Sequence, residues 1–303
     1  MIQPSRESAT VRIRRVRGDG LRELRDRVAV EEPMEIRLEV PPPHEVAGTH
    51  QVAVTMRTPG HDFELAAGFL FCEGLLEGKE DLRILTYCTE PKAQEYNVVS
   101  ARLAPGVAFD PGLLDRNFYT TSSCGVCGKA SLEAVEVRGC PVFPEGSGPS
   151  WQPDRLRALP AALRHRQGTF RRTGGLHGAA LARSDGTLAV VREDGGRHNA
   201  VDKVVGHLLL GDALPAEEGL LVVSGRASFE ILQKALAAGI PGVAAVGAPS
   251  SLAVDLARRF NMTLVGFLDA EGFNVYAGGE RVVEDAPDGS GPSGPPDPGD
   301  ERS

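Results

Sequence analysis

From residue 33 to residue 54 the chain alternates polar and apolar positions. Glu35-Ile36-Arg37-Leu38-Glu39-Val40 puts every second side chain on one face, the pattern of a half-buried strand. Val52-Ala53-Val54-Thr55-Met56 reads as its neighbour, with a turn over 41–48 between them. Thr58-Pro59-Gly60-His61-Asp62 then reads as a turn in which Thr58 or Asp62 supplies the capping oxygen of a helix. That helix, 63–71, is apolar on most sides, which suits packing against a sheet. Further strands are predicted over 82–88 and 96–103, and a short helix over 130–137. Ahead of all this, Arg12, Arg14, Arg15 and Arg17 interleave with Val and Ile, compatible with a first strand having one solvated face or with a loose tail.

The second half alternates strand and helix patterns. A helix is predicted over 155–166, and a strand pair over 179–182 and 188–191 around Ser184-Asp185-Gly186. A helix over 198–210 aligns Val201, Val204, Val205 and Leu208 on one face. Apolar strands at 220–223, 243–246 and 263–267 are separated by helices at 229–238, closed by Gly239, and 250–260, and 274–276 reads as an edge strand. Such alternation predicts a largely parallel sheet with helices on its faces, whose ligands meet the carboxyl ends of the strands. Residues 141–151, rich in Pro, Gly and Ser, read as a linker. Residues 285–303 carry too little apolar surface to offset their chain entropy and read as disordered. The expected division is therefore a tail or edge strand at 1–20, a smaller N-terminal α+β domain at 21–140, the linker at 141–151, an α/β domain at 152–284, and a disordered tail at 285–303.

Composition narrows the function. A chain of 303 residues supports one large core or two smaller ones. A formal charge of −8 argues against a broad nucleic-acid surface, while leaving room for a local basic pocket. The N-terminus has no apolar signal core, and no apolar run is long enough to span a membrane. Five cysteines, an odd number, suit a reducing compartment, so a cytoplasmic address is expected.

The sharpest chemical feature is Cys124-Gly125-Val126-Cys127, flanked by Ser122, Ser123, Gly128 and Lys129. A helix starting just after it, together with Lys129, would favour thiolate over thiol. Four readings compete. Half a zinc site would need partner ligands, yet Cys72, Cys88 and Cys140 are isolated. A thioredoxin-like dithiol would need a strand before the motif, where the sequence looks loop-like. A persulfide carrier would hold sulfur on one cysteine and use the other for release. A buried structural pair fits poorly beside two glycines and several hydroxyl residues.

Other clusters suit an anion. His177 lies in the Gly-rich turn Thr173-Gly174-Gly175-Leu176-His177, where a lone His is often only a hydrogen-bonder. Arg192 to Lys203 packs titratable residues beside Gly195-Gly196 at a helix start, so Arg197 and His198 are candidates for phosphate, against the alternative of a solvated cap. Ser224-Gly225-Arg226-Ala227-Ser228 follows an apolar strand and precedes a helix, again the geometry that cradles phosphate, although it is neither a P-loop nor a dinucleotide fingerprint. The loop after the last core strand, Phe267-Leu268-Asp269-Ala270-Glu271-Gly272, is a further contact candidate.

Taken in order, Ser123 to Gly128, Thr173 to His177, Asp194 to Lys203, Val223 to Glu230 and Asn261 to Phe267 resemble the FdhD family of sulfur carriers needed for formate dehydrogenase activity. The resemblance spans roughly residues 25 to 278. It implies that Cys124 carries a persulfide received from a cysteine desulfurase, with Cys127 assisting. It implies that sulfur passes to a molybdenum cofactor, bis(molybdopterin guanine dinucleotide), bound as substrate and destined for formate dehydrogenase. It implies that 267–272 contacts this cofactor and that the protein is a homodimer. The fold it implies is α/β, a cytidine deaminase-like three-layer domain with a smaller N-terminal α+β domain. The zinc signature of a deaminase is missing at 197–200 and 224–230. The pocket so vacated, with Asp194, His198 and Arg226, would suit a guanine nucleotide. Two alternatives are a non-catalytic chaperone for a guanine-bearing cofactor and a zinc hydrolase of the deaminase class.

Overall fold

The structure is a computed structural model that describes residues 7–18, 20–88, 97–107, 112, 140, 142–145 and 148–283. Cys124, Cys127 and the helix predicted over 130–137 lie outside these residues, as does the tail 285–303.

Two sheets with helices between them form the body. In the first, the strand order is β4 (Gly48–Arg57), β3 (Glu32–Val40), β6 (Val98–Leu103), β5 (Leu82–Tyr87), with β3 and β6 parallel and the outer pairs antiparallel. The alternation read in the sequence is met in space: Met34, Ile36, Leu38 and Val40 are buried, while Glu35, Arg37 and Glu39 are half-exposed. Against the buried face lies α1 (Asp62–Cys72), contributing Leu65, Ala66 and Leu70 to the same core.

Neither Thr58 nor Asp62 caps this helix, contrary to expectation. The capping position is His61, in a left-handed conformation (φ 56°) with no side-chain cap. Asp62 is instead taken by Arg57, which is wholly buried between Glu32 (3.0 Å) and Asp62 (3.1 Å).

The second sheet has six strands in the order β12 (Asn274–Ala277), β11 (Thr263–Gly266), β10 (Gly242–Ala245), β9 (Leu220–Val223), β7 (His177–Ala182), β8 (Leu188–Asp194). The expectation of a largely parallel sheet is corrected here. Only β9, β10 and β11 run parallel. The tight turn at 183–187 and the short turn after β11 leave no room for a crossover, so β8 and β12 return antiparallel, and β7 runs antiparallel to β9. The parallel strands are buried on both faces, which is why they read as unbroken apolar runs. One face packs on α4 (Arg197–Leu210), α5 (Phe229–Ala237) and α6 (Ser251–Arg259), the other on α2 (Pro153–Arg166).

Helices α1 and α4 join the two sheets into one stack, crossing at Gly68 and Gly206. Beside this seam Lys234 of α5 is buried against Asp202 of α4 (2.7 Å) and lies over the Phe69 ring of α1, 5.7 Å from its centroid.

β2 (Gly20–Ala29) and a short helix escaped the sequence reading, and at the N-terminus the first of its two alternatives holds. β1 (Ser8–Arg17) pairs along its whole length with β2 (Gly20–Ala29) in an antiparallel ribbon, so the arginine-rich start is a strand and not a loose tail. A short helix α3 (Gly168–Thr173) follows α2. Trp151, at the end of the stretch read as linker, is 3 % exposed and bridges to Val282. Among the described residues, no helix is long and apolar enough to cross a membrane.

Candidate functional site

The carboxyl ends of β9, β10 and β11 meet the start of β7 and the start of α4. Their loops continue the ladder beyond the strands. The Val246 N–H donates to Val223 O (3.0 Å), Gly247 N–H to Gly225 O (2.9 Å) and Phe267 N–H to Gly247 O (3.2 Å). Ala227 N–H donates to Ala248 O (3.2 Å) and Ser250 N–H to Ala227 O (3.0 Å). Gly247 is required at its crossing, because a Cβ there would lie 2.9 Å from Gly225 O and 3.0 Å from Arg226 Cα. The result is a flat floor of interlocked backbone.

Three predicted side chains gather on this floor. Gly225 is seated where a Cβ would lie 3.5 Å from His177 Nδ1 and 4.0 Å from Arg197 Cδ. His177 is the first residue of β7, and Arg197 and His198 are the first two of α4, where unpaired backbone N–H groups and the helix dipole favour an anion. The Nε of Arg197 is buried without a hydrogen-bond partner. A buried guanidinium N–H normally finds an acceptor, so this donor fits an anionic ligand rather than a finished core.

His198 Nε2 lies 3.4 Å from Ser228 Oγ and 3.9 Å from Glu230 Oε2. Burial, then the positive charges of Arg197 and Lys234, push the His198 pKa down to about 4. His177 is lowered by burial and by Arg197, with Asp194 opposing. Burial would raise Glu230, but hydrogen bonds from Ser228 and the helix start, with His198 and Arg197 beside it, bring it below its ordinary value. Near pH 7 the site therefore presents the Arg197 guanidinium, two neutral imidazoles and one carboxylate, with Arg226 exposed on the adjoining loop.

The loop after β11 divides. Phe267 is 52 % exposed and holds φ 53°, a conformation that a bulky residue adopts only where its surroundings impose it. Leu268 is wholly buried in the opposite layer and presents nothing to a ligand. Asp269 closes the turn on itself: its Oδ1 accepts the N–H groups of Glu271 (2.8 Å) and Gly272 (2.9 Å), which lower its pKa. Ala270 and Glu271 are exposed and Gly272 is half-buried.

Asp194, read from sequence as lining the pocket, does not. It is 0 % exposed and ion-paired to Lys203 (2.6 Å), so its charge is spent inside the fold. Arg192 is likewise taken, by Glu64. Burial alone would raise Glu64, but hydrogen bonds from Arg192, His61 and His207 hold its carboxyl far below the usual range. Sequence reasoning placed Ser228 among the phosphate-cradling residues without seeing its contact with His198. It missed Glu230 as a neighbour of that imidazole and gave no signal for the anchoring role of residues 55–58.

Comparison with known proteins shows the family of the chain. The model of the FdhD/NarQ family matches residues 29–283. A protein of Streptomyces coelicolor named sulfur carrier protein FdhD is 51 % identical over 280 residues, covering 91 % of this chain and 96 % of its own. The protein of that name from Mycobacterium tuberculosis is 49 % identical over 278 residues, covering 90 % and 97 %. A crystal structure of a candidate formate dehydrogenase accessory protein from Desulfotalea psychrophila superposes with a TM-score of 0.68 at 27 % identity, covering 92 % of this chain and all of that one. With half its residues shared with such relatives over nine-tenths of its length, the chain belongs to the FdhD/NarQ family.

Proposed function

We propose that this protein is a sulfur carrier serving formate dehydrogenase, loading sulfur as a persulfide on Cys124 and unloading it onto a molybdenum cofactor substrate that bears guanine nucleotides. In the loading step the Cys124 thiolate attacks the terminal sulfur of a desulfurase persulfide. The donor's S–S bond breaks, the donor cysteine leaves as thiolate, and a new S–S bond forms on Cys124. Cys127, three residues on, assists release. The observation that carries the reading is the coincidence, in a member of this family, of a Cys-x-x-Cys segment with an unsatisfied buried Arg197 donor at a helix start.

In this reading Arg197 and Arg226 hold phosphate, the neutral His177 and His198 supply hydrogen bonds without adding charge, and the exposed ring of Phe267 offers a face for the base. The protein acts as a cytoplasmic homodimer. We read the second sheet and its two helix layers as cytidine deaminase-like; the order with β7 antiparallel beside three parallel strands supports this. Among the described residues no three His, Cys, Asp or Glu side chains gather as a metal site, so nothing there favours the zinc hydrolase alternative.

The test is intact mass after incubation with a cysteine desulfurase and cysteine. A sulfur adduct on the wild type that disappears in Cys124→Ala is expected. An adduct surviving in a Cys124→Ala/Cys127→Ala variant, or none on the wild type, overturns the reading in favour of a nucleotide-binding chaperone.

A further inference from the structure

Thr58 lies at the end of the first sheet, yet its polar groups are committed to the turn that presents Arg197 and His198 and to the helix that follows it. Its N–H donates to Asp194 Oδ2 (3.1 Å), its carbonyl accepts from Lys203 Nζ (2.9 Å), and its Oγ1 accepts the Gly195 N–H (3.2 Å). Thr58 is 2 % exposed. The same turn is bound again nearby. Asn199 Nδ2 donates to Met56 O (2.8 Å) and to Asp194 Oδ1 (3.1 Å), and Thr55 Oγ1 donates to Asn199 Oδ1 (3.2 Å). Asp194 Oδ1 also accepts the Gly196 N–H (2.9 Å).

The run from Asp194 to Lys203 thus separates into two sets by direction. Asp194, Asn199 and Lys203 reach inward to residues 55–58. Arg197 and His198 are left to face the floor formed by the Ser224–Ser228 loop.

Gly195 and Gly196 have no side chains with which to hold their own conformation, and glycine is the residue with most backbone freedom to lose. Asp194 holds the Gly196 N–H from within the turn, and the Thr58 hydroxyl holds the Gly195 N–H from outside it. We infer that Thr58 is a positioning residue: by fixing the Gly195–Gly196 turn from the other half of the molecule, it sets the direction in which Arg197 and His198 meet an anionic ligand. This rests on the reading of those two residues as ligand contacts. It makes the geometry of the site depend on the first sheet, the unit whose chain leads on toward the cysteine segment.

Thr58→Val keeps the shape and removes the acceptor, while Thr58→Ser keeps the acceptor. Among the described residues, Arg197, Lys234, Glu230 and His177 are the charged or titratable groups that act on His198, and Arg197 is the one carried by the turn. The deciding measurement is the titration of the His198 ring by NMR in the full-length protein. With the turn released, the imidazole gains water and Arg197 moves off it, so Thr58→Val raises the His198 midpoint and Thr58→Ser restores it. A midpoint in Thr58→Val equal to that of the wild type overturns the inference. If Thr58→Val does not fold, Asn199→Ala, which loosens the same turn, is read by the same criterion.

Binding of guanosine diphosphate, measured by calorimetry on the same proteins, tells this inference apart from the reading beneath it. A loss of about tenfold or more in Thr58→Val, matched in Arg197→Ala, is expected. Failure of the wild type to bind counts against the nucleotide reading, while the His198 titration still decides the role of Thr58.

Discussion

Gly68 of α1 and Gly206 of α4 meet backbone to backbone. A Cβ on Gly68 would lie 2.7 Å from Gly206 N and overlap the Asp202 carbonyl, and one on Gly206 would lie 2.8 Å from Gly68 N and overlap the Glu64 carbonyl. Side-chain loss at these two positions is what allows the two sheets to share one helical layer. Helix propensity alone makes Gly206→Ala stabilising by about 1 kcal/mol. Overpacking against backbone, which cannot swing aside, predicts the opposite sign, a loss of about 3 kcal/mol or more. Urea unfolding of Gly206→Ala decides between them, and a stabilised variant would refute the seam.

Breaking the Asp194–Lys203 pair is expected to cost about 3–5 kcal/mol, because Lys203→Met leaves a carboxylate with no exposure facing only neutral donors. Thermal unfolding at neutral pH measures it. A loss below about 1 kcal/mol would mean that the buried pair does not hold the fold together.

Acid should loosen the molecule through His198. Unfolded, this imidazole takes up a proton below its ordinary pKa of 6.5; folded, it does so only near 4. Between those values the unfolded chain holds the extra proton, so the stabilisation is complete above pH 6.5 and is lost as pH falls toward 4. His198 is 32 % exposed, so solvent screening reduces the effect to on the order of 2 kcal/mol. Unfolding free energies across this interval should fall more steeply in the wild type than in His198→Gln. Parallel slopes would remove His198 from the account, leaving His177, which is shifted in the same direction, as a remaining source.

Phe267 holds a left-handed conformation that costs a non-glycine residue about 1–2 kcal/mol, while half its surface stays in water. Phe267→Gly relieves that cost and gives back part of it as unfolded-chain entropy. Stability should therefore hold or rise slightly, while affinity for guanosine diphosphate falls. If stability drops by more than about 1 kcal/mol, the ring is a packing group and not a ligand platform.

Local patterns in the sequence were legible wherever one physical cause dominated. The alternation of β3 and the apolar tetrads of β9, β10 and β11 record burial directly. The strand-to-helix junctions at Gly196 and Ser224 were legible as turns before helices, and the fold sets them side by side, with Arg197 Cδ 4.0 Å from where a Cβ on Gly225 would lie. Strand direction was legible at the 183–187 hairpin, but not for β7 against β9, because strand composition does not record which neighbour a strand takes in the sheet. β2 was hidden by its charges: Arg22, Glu23, Arg25, Asp26 and Arg27 leave no apolar face to detect. The hold of Thr58 on Gly195 spans 137 residues, and nothing local marks either partner for the other. Asp194 shows the converse error, since a charge beside a Gly-Gly turn looks the same in sequence whether it faces solvent or a buried lysine.

The interlocked loops under Arg197 have a mechanical consequence. Because Val246, Gly247 and Phe267 spend their N–H groups on neighbouring carbonyls, the floor cannot ripple to suit an incoming molecule. Its ordering entropy is met during folding, so capture costs little further freedom from this surface. A platform of that kind recognises by matching a fixed outline, and adaptation to ligands of different size must come from the side chains above it.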